Sequence, residues 1–462
     1  MTRPMDWLPQ TNHLVWTKPA DVRLEYLPYR YPSRTAYTLE AEIRQIETCV
    51  KKGYPRLQLR DIKDEWLSVV GFGPSLHDTW REIKHPFVTV SGALDFMQDK
   101  GVIPDYHAEC DGRDYKTKHL EHANHTTKYF MASVCNPRMW DLLEGCHVEY
   151  WHTANGQHVV DWIGKNDLGS VLIAGGSNIG LTAIHVGGIL GYRKFRLYGF
   201  DGNFRGDVRH AGKHYAEPQR RIVRTANGHR WDTSPQMSHA CDEFLRLYDD
   251  QNIKCEIVGD CLLADLVEEA DRARAFWVDL WSAFSEEMLP EIRQIRADAE
   301  TRKDSAEFRT GSINEPSSII LRLLTEKLQP EVLVEVGTCI GNSTTVMKAG
   351  HIYTCDRDND CVKSTERITV HPKKSSTEML GSLVDKGVKV DMFFFDGRLQ
   401  YADLPLILRL SKPSTVFAFD DYIAAEKGVC NVEFLQPYFP KYKLIRPCGM
   451  VRDITSIAVM MP

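Results

Sequence analysis

Apolar runs that end in an acid or a glycine turn recur along this chain. In VLVEVGTCIGNSTTV, from Val332 to Val346, an apolar run leads into two glycines four positions apart and a polar Asn-Ser-Thr-Thr stretch. The pattern predicts a strand, a tight turn and a helix that starts near Asn342. HIYTCD closes a second strand at Asp356, VDMFFFDG a third at Asp396, and TVFAFDDY a fourth at Asp420 and Asp421. The first half repeats the theme. WLSVVGFGPSL, from Trp66 to Leu76, predicts a strand, a Gly-x-Gly turn and a helix start at Pro74 and Ser75. Further strands are expected to end near Ser91, at Asp111, and near Ser133 and Asn136. SVLIAGGSNIGLTAIHVGGILGY then gives a strand, a Gly-Gly-Ser-Asn turn and a helix packed closely through Gly187 and Gly188, and KFRLYGFDGNF ends a strand at Gly199 and Asp201.

Between and before these runs the period changes to that of helices. TLEAEIRQIETCVKKG predicts an amphipathic helix ahead of the first strand. Residues 263–308 read as one or two helices broken at Pro290, with Phe276, Trp277, Trp281 and Phe284 on one apolar stripe. Arg209 to Pro235 is rich in Lys and Arg with little periodicity and reads as a long loop or lid following a strand end. The expected fold is α/β, with two Rossmann-like doubly wound sheets joined by a helical linker. The expected organisation is an N-terminal helical extension over 1–60, a nucleotide-binding transferase domain over 61–265, a linker over 266–310 and a second domain over 311–462.

Composition narrows the function classes. A chain of 462 residues, 43% hydrophobic and 26% charged, can bury two or three separate cores. No apolar run is long enough for a membrane span and the first residues lack the apolar core of a signal peptide, so a cytosolic protein is expected. A net charge of −6 argues against general nucleic-acid binding. Twelve cysteines without a CxxC pair indicate neither a zinc site nor a disulfide framework.

Strand-end positions hold the candidate chemistry, because open α/β sheets bind ligands beyond the carboxyl ends of their strands. Gly71 and Gly73 would let backbone approach a phosphate or nucleotide, with Ser75 offering its hydroxyl at a helix start and Ser177 and Asn178 forming a second turn. Asp111 and Asp201 are candidate catalytic acids or Mg2+ ligands, and Arg205, Arg209 and Lys213 would neutralise developing charge. In the second half Glu335, Gly337, Gly341 and Ser343 form a cofactor turn, and Asp356 is placed to hold ribose hydroxyls.

These motifs carry resemblances. Residues 311–462 resemble the class I S-adenosylmethionine-dependent methyltransferases, and the resemblance implies that Glu335, Gly337 and Gly341 wrap the methionine part of S-adenosyl-L-methionine while Asp356 takes the ribose. Asp396-Gly397 with Tyr401, Asp403 and Asp420-Asp421-Tyr422 looks most like the small-molecule O-methyltransferase branch, several members of which hold a divalent cation. Oxygens of Asp396, Asp420 and Asp421 would suit Mg2+, which would prepare a substrate hydroxyl for attack on the methyl group. Arg398 stands where those relatives have an acid or His.

Residues 61–265 resemble the MptE-like domain, named for 6-hydroxymethylpterin diphosphokinase and shared with bacterial proteins of flagellin glycosylation. The carriers are Gly71-Phe-Gly-Pro-Ser-Leu76, Ile103-Pro-Asp105 to Asp111, Gly175-Gly-Ser-Asn178 and Leu197-Tyr-Gly-Phe-Asp201. The same order is similar to bacterial sialyltransferases, in which the Gly-x-Gly-Pro-Ser-Leu turn binds the cytidine nucleotide and a later His lies near the donor phosphate. His210 and His214 are the candidates here, with His214 taken as catalytic.

The expectation is a bifunctional transferase: glycosyl or diphosphoryl transfer from a CMP-sugar or ATP in the first domain and O-methyl transfer in the second. The acceptor would be a glycan or small metabolite. A pterin diphosphokinase with a degenerate second domain, or a non-catalytic nucleotide-binding scaffold, remain as alternatives. Neither nucleic acid nor membrane is expected as a partner.

Overall fold

The structure is a computed structural model that describes residues 16–17, 38–153, 156–167, 171–173, 177–212, 220–248, 253–302, 313–357, 362–422, 427–447 and 455–462. The chain divides into two compact units, 10–268 and 269–462 together with 1–9. Both are α/β and Rossmann-like.

The first unit is built on a nine-stranded sheet. Its strands run, from one edge to the other, Trp16–Thr17, Leu172–Ile173, His147–Thr153, Lys128–Ala132, Tyr106–Glu109, Phe87–Val90, Trp66–Val70, Lys194–Tyr198 and Lys254–Val258. Only Trp16–Thr17 pairs antiparallel; all other ladders are parallel. Successive strands add outward from Trp66–Val70, and the chain then returns to its other side as Lys194–Tyr198. The order therefore reverses between these two strands, at the crevice where such sheets bind ligands. The helix Ile179–Ile189 is buried on nearly every side, and Gly187 permits this: a Cβ there would lie 2.7 Å from the Phe195 ring and 2.8 Å from Leu67.

The amphipathic helix is Leu39–Lys52, capped by the Thr38 hydroxyl on the Ala41 N–H at its start and by Gly53 at φ 73° at its end. Part of the stretch expected to be a loop after Asp201 differs from expectation. Ile222–Ala226 and His229–Thr233 form a two-stranded hairpin, turned by Asn227 and Gly228 at φ 48° and 81°. Asn-Gly is the pair that a two-residue hairpin turn selects, because both positions need the left-handed region.

In the second unit seven strands run Ile368–Pro372, His351–Asp356, Val332–Val336, Val390–Phe395, Ser411–Phe419, Ala458–Met461 and Lys443–Ile445. The first five are parallel, and Ala458–Met461 is antiparallel to both of its neighbours. The order reverses between Val332–Val336 and Val390–Phe395. Phe393, Phe395 and Phe417 stack on one face of the sheet, with ring centroids 5.5–6.4 Å apart.

The helices expected to link the domains pack into this second unit from residue 269 onward. Ala273, Trp277, Leu280, Leu289 and Ile292 share one core with Leu333, Ile352 and Phe394, and the Trp277 indole N–H donates to the Arg446 carbonyl at 2.8 Å. Pro290 does not break a helix here. It lies in the first turn of Leu289–Glu300, where its missing N–H leaves no hydrogen bond unmade; the preceding helix ends at Ser282. Replacing Trp277 with Ala is expected to cost about 3–5 kcal/mol in denaturant unfolding of the second unit. An unchanged midpoint would mean that this segment is a solvated linker.

Candidate functional site

At the crevice of the first sheet the chain packs against itself. The Gly71 N–H donates to the Tyr198 carbonyl at 2.7 Å, and that of Gly73 to the Gly199 carbonyl at 2.9 Å. A Cβ at Gly71 would stand 2.6 Å from the Gly199 oxygen, and one at Gly73 would stand 1.9 Å from a carboxylate oxygen of Asp201. Asp201 Oδ2 accepts the Ser75 N–H at 3.0 Å, and burial pushes this acid's pKa up despite that bond. The helix that follows, Leu76–Thr79, is a single turn. Gly71, Gly73 and Ser75 lie beside Asp201: the glycines make room for Asp201, and its carboxylate takes the Ser75 amide. Asp111 likewise differs from an open catalytic acid. Its two oxygens meet Arg113 Nε at 2.9 and 3.0 Å, and the Arg113 bonds and the Lys116 charge outweigh burial and hold it low.

Asn178 caps the helix Ile179–Ile189, its Oδ1 accepting the Leu181 N–H at 3.0 Å, and the Ser177 N–H donates to the Glu243 carboxylate at 2.8 Å. Both polar groups serve the fold. Gly175, Gly176, Lys213 and His214 lie outside the described residues.

A polar cluster that the sequence reading missed lies at the ends of the neighbouring strands. Tyr115, Lys116 and His119 sit on the 3-10 helix Asp114–Leu120, directly after the strand that ends at Glu109. Lys116 is buried, its ammonium 2.5 Å from the Ser91 hydroxyl and 3.8 Å from the Glu109 carboxylate. The Arg113 guanidinium lies 5.0 Å from the centre of the Tyr115 ring. Phe72 stacks on His210 at 5.5 Å and meets His119 edge-on at 6.5 Å, while His119 Nδ1 bonds Asp95 at 2.8 Å. The Ala211 N–H donates to the Phe72 carbonyl, which brings Arg209 and His210 alongside. Among the described residues, the buried Tyr115 hydroxyl and Arg209 Nε have no hydrogen-bond partner. The unmet Tyr115 hydroxyl and Arg209, whose charges interact, join Lys116 and Arg113 in a set of donors suited to an anion. The signal that could have found it is the DYKTKHL run directly after the Asp111 strand end.

In the second unit a glycine turn follows the strand Val332–Val336. Gly337, Cys339 and Gly341 have φ of 102°, 45° and 79°. A Cβ at Gly337 would stand 3.0 Å from the Asp396 backbone, across the reversal point of the sheet. Asp356 Oδ2 accepts the Cys339 N–H at 2.7 Å and so shapes the turn. Glu335 is fully buried beneath it. One of its oxygens accepts the Thr354 hydroxyl at 2.6 Å and also that of Thr344, while burial pushes its pKa up. Glu335 thus supports the turn through the Thr344 and Thr354 hydroxyls, and Ser343 is buried in the one-turn helix Asn342–Val346.

Asp396, Asp420 and Asp421 offer oxygens within 4.8 Å of one another. The Lys427 ammonium lies among them, bonded to Asp396 and 2.9 Å from Asp421, and the Ser456 hydroxyl donates to Asp420 at 3.0 Å. Burial, then the charge of Asp420, pushes Asp396 up. Mg2+ needs near-octahedral oxygen ligands and keeps several waters. With an ammonium on two of the three carboxylates, the set as it stands does not fit Mg2+.

A model of the 6-hydroxymethylpterin diphosphokinase MptE-like family matches residues 41–207. This segment is similar to that family. No curated protein sequence matches the chain. Among solved structures, the MAf glycosyltransferase from Magnetospirillum magneticum AMB-1 is 16% identical with a TM-score of 0.39, covering 62% of this chain and 50% of that one. The chain thus spans about half the length of that glycosyltransferase structure. The O-methyltransferase TomG from Streptomyces achromogenes, in complex with SAM, is 18% identical with a TM-score of 0.28, covering 42% of this chain and 98% of that one. An O-methyltransferase from Bacillus cereus, in complex with SAH, is 16% identical with a TM-score of 0.28, covering 41% and 97%. Among the described residues no helix is long and apolar enough to cross a membrane.

The pairing of Asp201 with Ser75 yields two expectations. Asp201→Ala leaves a buried N–H without a partner and should cost about 1–3 kcal/mol, whereas Asp201→Asn keeps an acceptor and should cost less. Because the folded pKa of Asp201 is raised above its ordinary 3.8, its carboxylate loses stability as pH rises above that value. The stability of Asp201→Asn relative to wild type should therefore improve across the same window, measured by urea unfolding at several pH values. A difference that stays flat with pH would contradict this placement of Asp201.

Proposed function

We propose that the chain is a transferase with two ligand sites, one on each sheet, and that the second binds S-adenosyl-L-methionine and transfers its methyl group to a hydroxyl. The observation that carries this reading is the Gly337–Gly341 turn, with left-handed backbone and no Cβ at the reversal point, shaped by the Asp356 carboxylate on Cys339. Backbone at Gly337 can approach a ligand closely, since only the Asp396 and Gly397 backbone lies near it, whereas at Gly341 the Val362 side chain takes the space, 2.7 Å from where a Cβ would stand. In the transfer the bond from sulfur to methyl breaks as the bond from acceptor oxygen to methyl forms, and the acceptor hydroxyl gives up its proton. The O-methyltransferase structures that match this unit agree with the fold.

In the first unit the match to the MptE-like family and the cationic cluster support transfer from a nucleotide-activated donor. Lys116, Arg113, Arg209 and the Tyr115 hydroxyl would receive the donor phosphate and stabilise the charge it gains as the leaving group. Diphosphoryl transfer would need acids free to hold Mg2+, and Asp111 and Asp201 are both engaged by the chain. That observation favours a CMP-sugar over ATP, and a glycan or small hydroxylated metabolite as acceptor of both groups. A scaffold without turnover would bind both ligands and release no product.

Calorimetric titration tests both halves. Wild type should bind S-adenosylmethionine and CMP, with Gly337→Val abolishing the first only and Lys116→Ala weakening the second by roughly tenfold or more, as the loss of a buried charge-assisted contact implies. Absence of methyl-donor binding by folded wild type would overturn the reading of the second unit. CMP binding that survives Lys116→Ala unchanged but is lost in Ser75→Pro would return the donor site to the Gly-x-Gly turn.

A further inference from the structure

The second unit brings three carboxylates together at its sheet edge and meets them with a cation of its own. Asp396 and Asp420 are 9% and 6% exposed, and Asp421 follows with φ 52°, a left-handed conformation that turns its carboxylate back toward the other two. Like charges this close and this buried repel by several kcal/mol unless a cation lies between them. Lys427 supplies that cation, on Asp396 and Asp421.

The chain fixes Lys427 in this place by two backbone contacts. Gly428, the next residue, lies directly on the end of the strand Ser411–Phe419: a Cβ there would stand 2.2 Å from the Asp420 carbonyl oxygen and 2.7 Å from the Tyr422 nitrogen. One turn on, Asn431 is buried and bonded on both sides, its Nδ2 donating to the Gly397 carbonyl at 2.8 Å and its Oδ1 accepting the Leu399 N–H at 3.0 Å. The helix Lys427–Leu435 is thus clamped to the loop after Asp396 and to the turn after Asp420, the two segments that deliver the carboxylates. A lysine held this way is part of the site's construction.

We infer that Lys427 is the permanent counter-cation of the Asp396, Asp420 and Asp421 cluster, standing where a divalent ion would otherwise be held, and that this unit works without a divalent metal. The consequence for catalysis rests on the methyl-donor reading above; the charge argument does not. A divalent ion offers an acceptor empty coordination positions, whereas an ammonium offers only N–H donors, two of which are already directed at carboxylates. The acceptor hydroxyl is then oriented by hydrogen bonds and not by chelation.

The test is Mn2+ titration of the full chain, followed by the electron paramagnetic resonance signal of the free ion, with S-adenosylmethionine binding measured on the same samples. Wild type is expected to leave the free signal undiminished. Lys427→Met, which uncovers the carboxylates, should take up Mn2+ at least roughly tenfold more tightly, and Asp420→Asn in that background should remove the gain. Lys427→Arg keeps a cation in place and should remain metal-free. Stoichiometric Mn2+ uptake by wild type overturns the inference, as does a folded Lys427→Met chain that binds no better than wild type. If Lys427→Met loses its folded near-ultraviolet dichroism, wild type and Lys427→Arg decide the matter: uptake by either overturns it, and silence of both supports it. Loss of S-adenosylmethionine binding with these Mn2+ results intact would sink the methyl-donor reading and leave Lys427 as counter-cation.

Discussion

A carboxylate at the buried end of a parallel strand must find a partner, and how each acid in this chain satisfies that demand governs both sheet edges. Leaving such a charge unpaired costs several kcal/mol. Asp201 takes the Ser75 N–H, Asp356 the Cys339 N–H, Glu335 the hydroxyls of Thr344 and Thr354, Asp111 the Arg113 guanidinium, and Asp396 with Asp421 the Lys427 ammonium. The choice of partner decides whether an acid shapes a turn, shuts a crevice or stays beside a ligand.

The two sheets reverse their strand order in the same way and use the space differently. In the first, the Asp201 carboxylate occupies the space that Gly73 leaves, so the crevice is filled by the protein. The unmet donors lie over the adjacent strands, around Lys116, Tyr115 and Arg209. In the second, Asp356 approaches from the neighbouring strand and holds only the tip of the Gly337–Gly341 turn, while Glu335 supports it from below. At Gly341 the Val362 side chain takes the space a Cβ would occupy, while at Gly337 the near atoms are backbone of Asp396 and Gly397. A glycine turn at a sheet edge is therefore a statement about available space, and the fold decides what uses that space.

Much of this was legible in the sequence because it is local. Apolar runs ending in Val70, Tyr198, Val336 and Phe395 announce parallel strands, and glycines at 71, 73, 337 and 341 announce turns that need close approach or left-handed backbone. The Asn227-Gly228 hairpin was equally local; the surrounding arginines and prolines disguised it as a loop, although the dipeptide alone specified the turn. Pro290 was misread in the opposite sense, since a proline that cannot continue a helix is well suited to starting one. What could not be read were pairings across long separations. Nothing near Asp396 in sequence indicates Lys427, and nothing near Ser75 indicates Asp201, because partner choice depends on the sheet order that places those segments together. The buried Lys116 cluster was hidden for the same reason, its members coming from three strand ends and the segment after Asp201.

The most direct test of this account is a crystal structure of the chain grown with S-adenosylhomocysteine and CMP. The account predicts the thioether ligand against the Gly337–Gly341 turn, the CMP phosphate on Lys116 and Arg209, and the Ser75 N–H still bonded to Asp201. A phosphate seated on the Ser75 N–H, with the Asp201 carboxylate displaced, would contradict it.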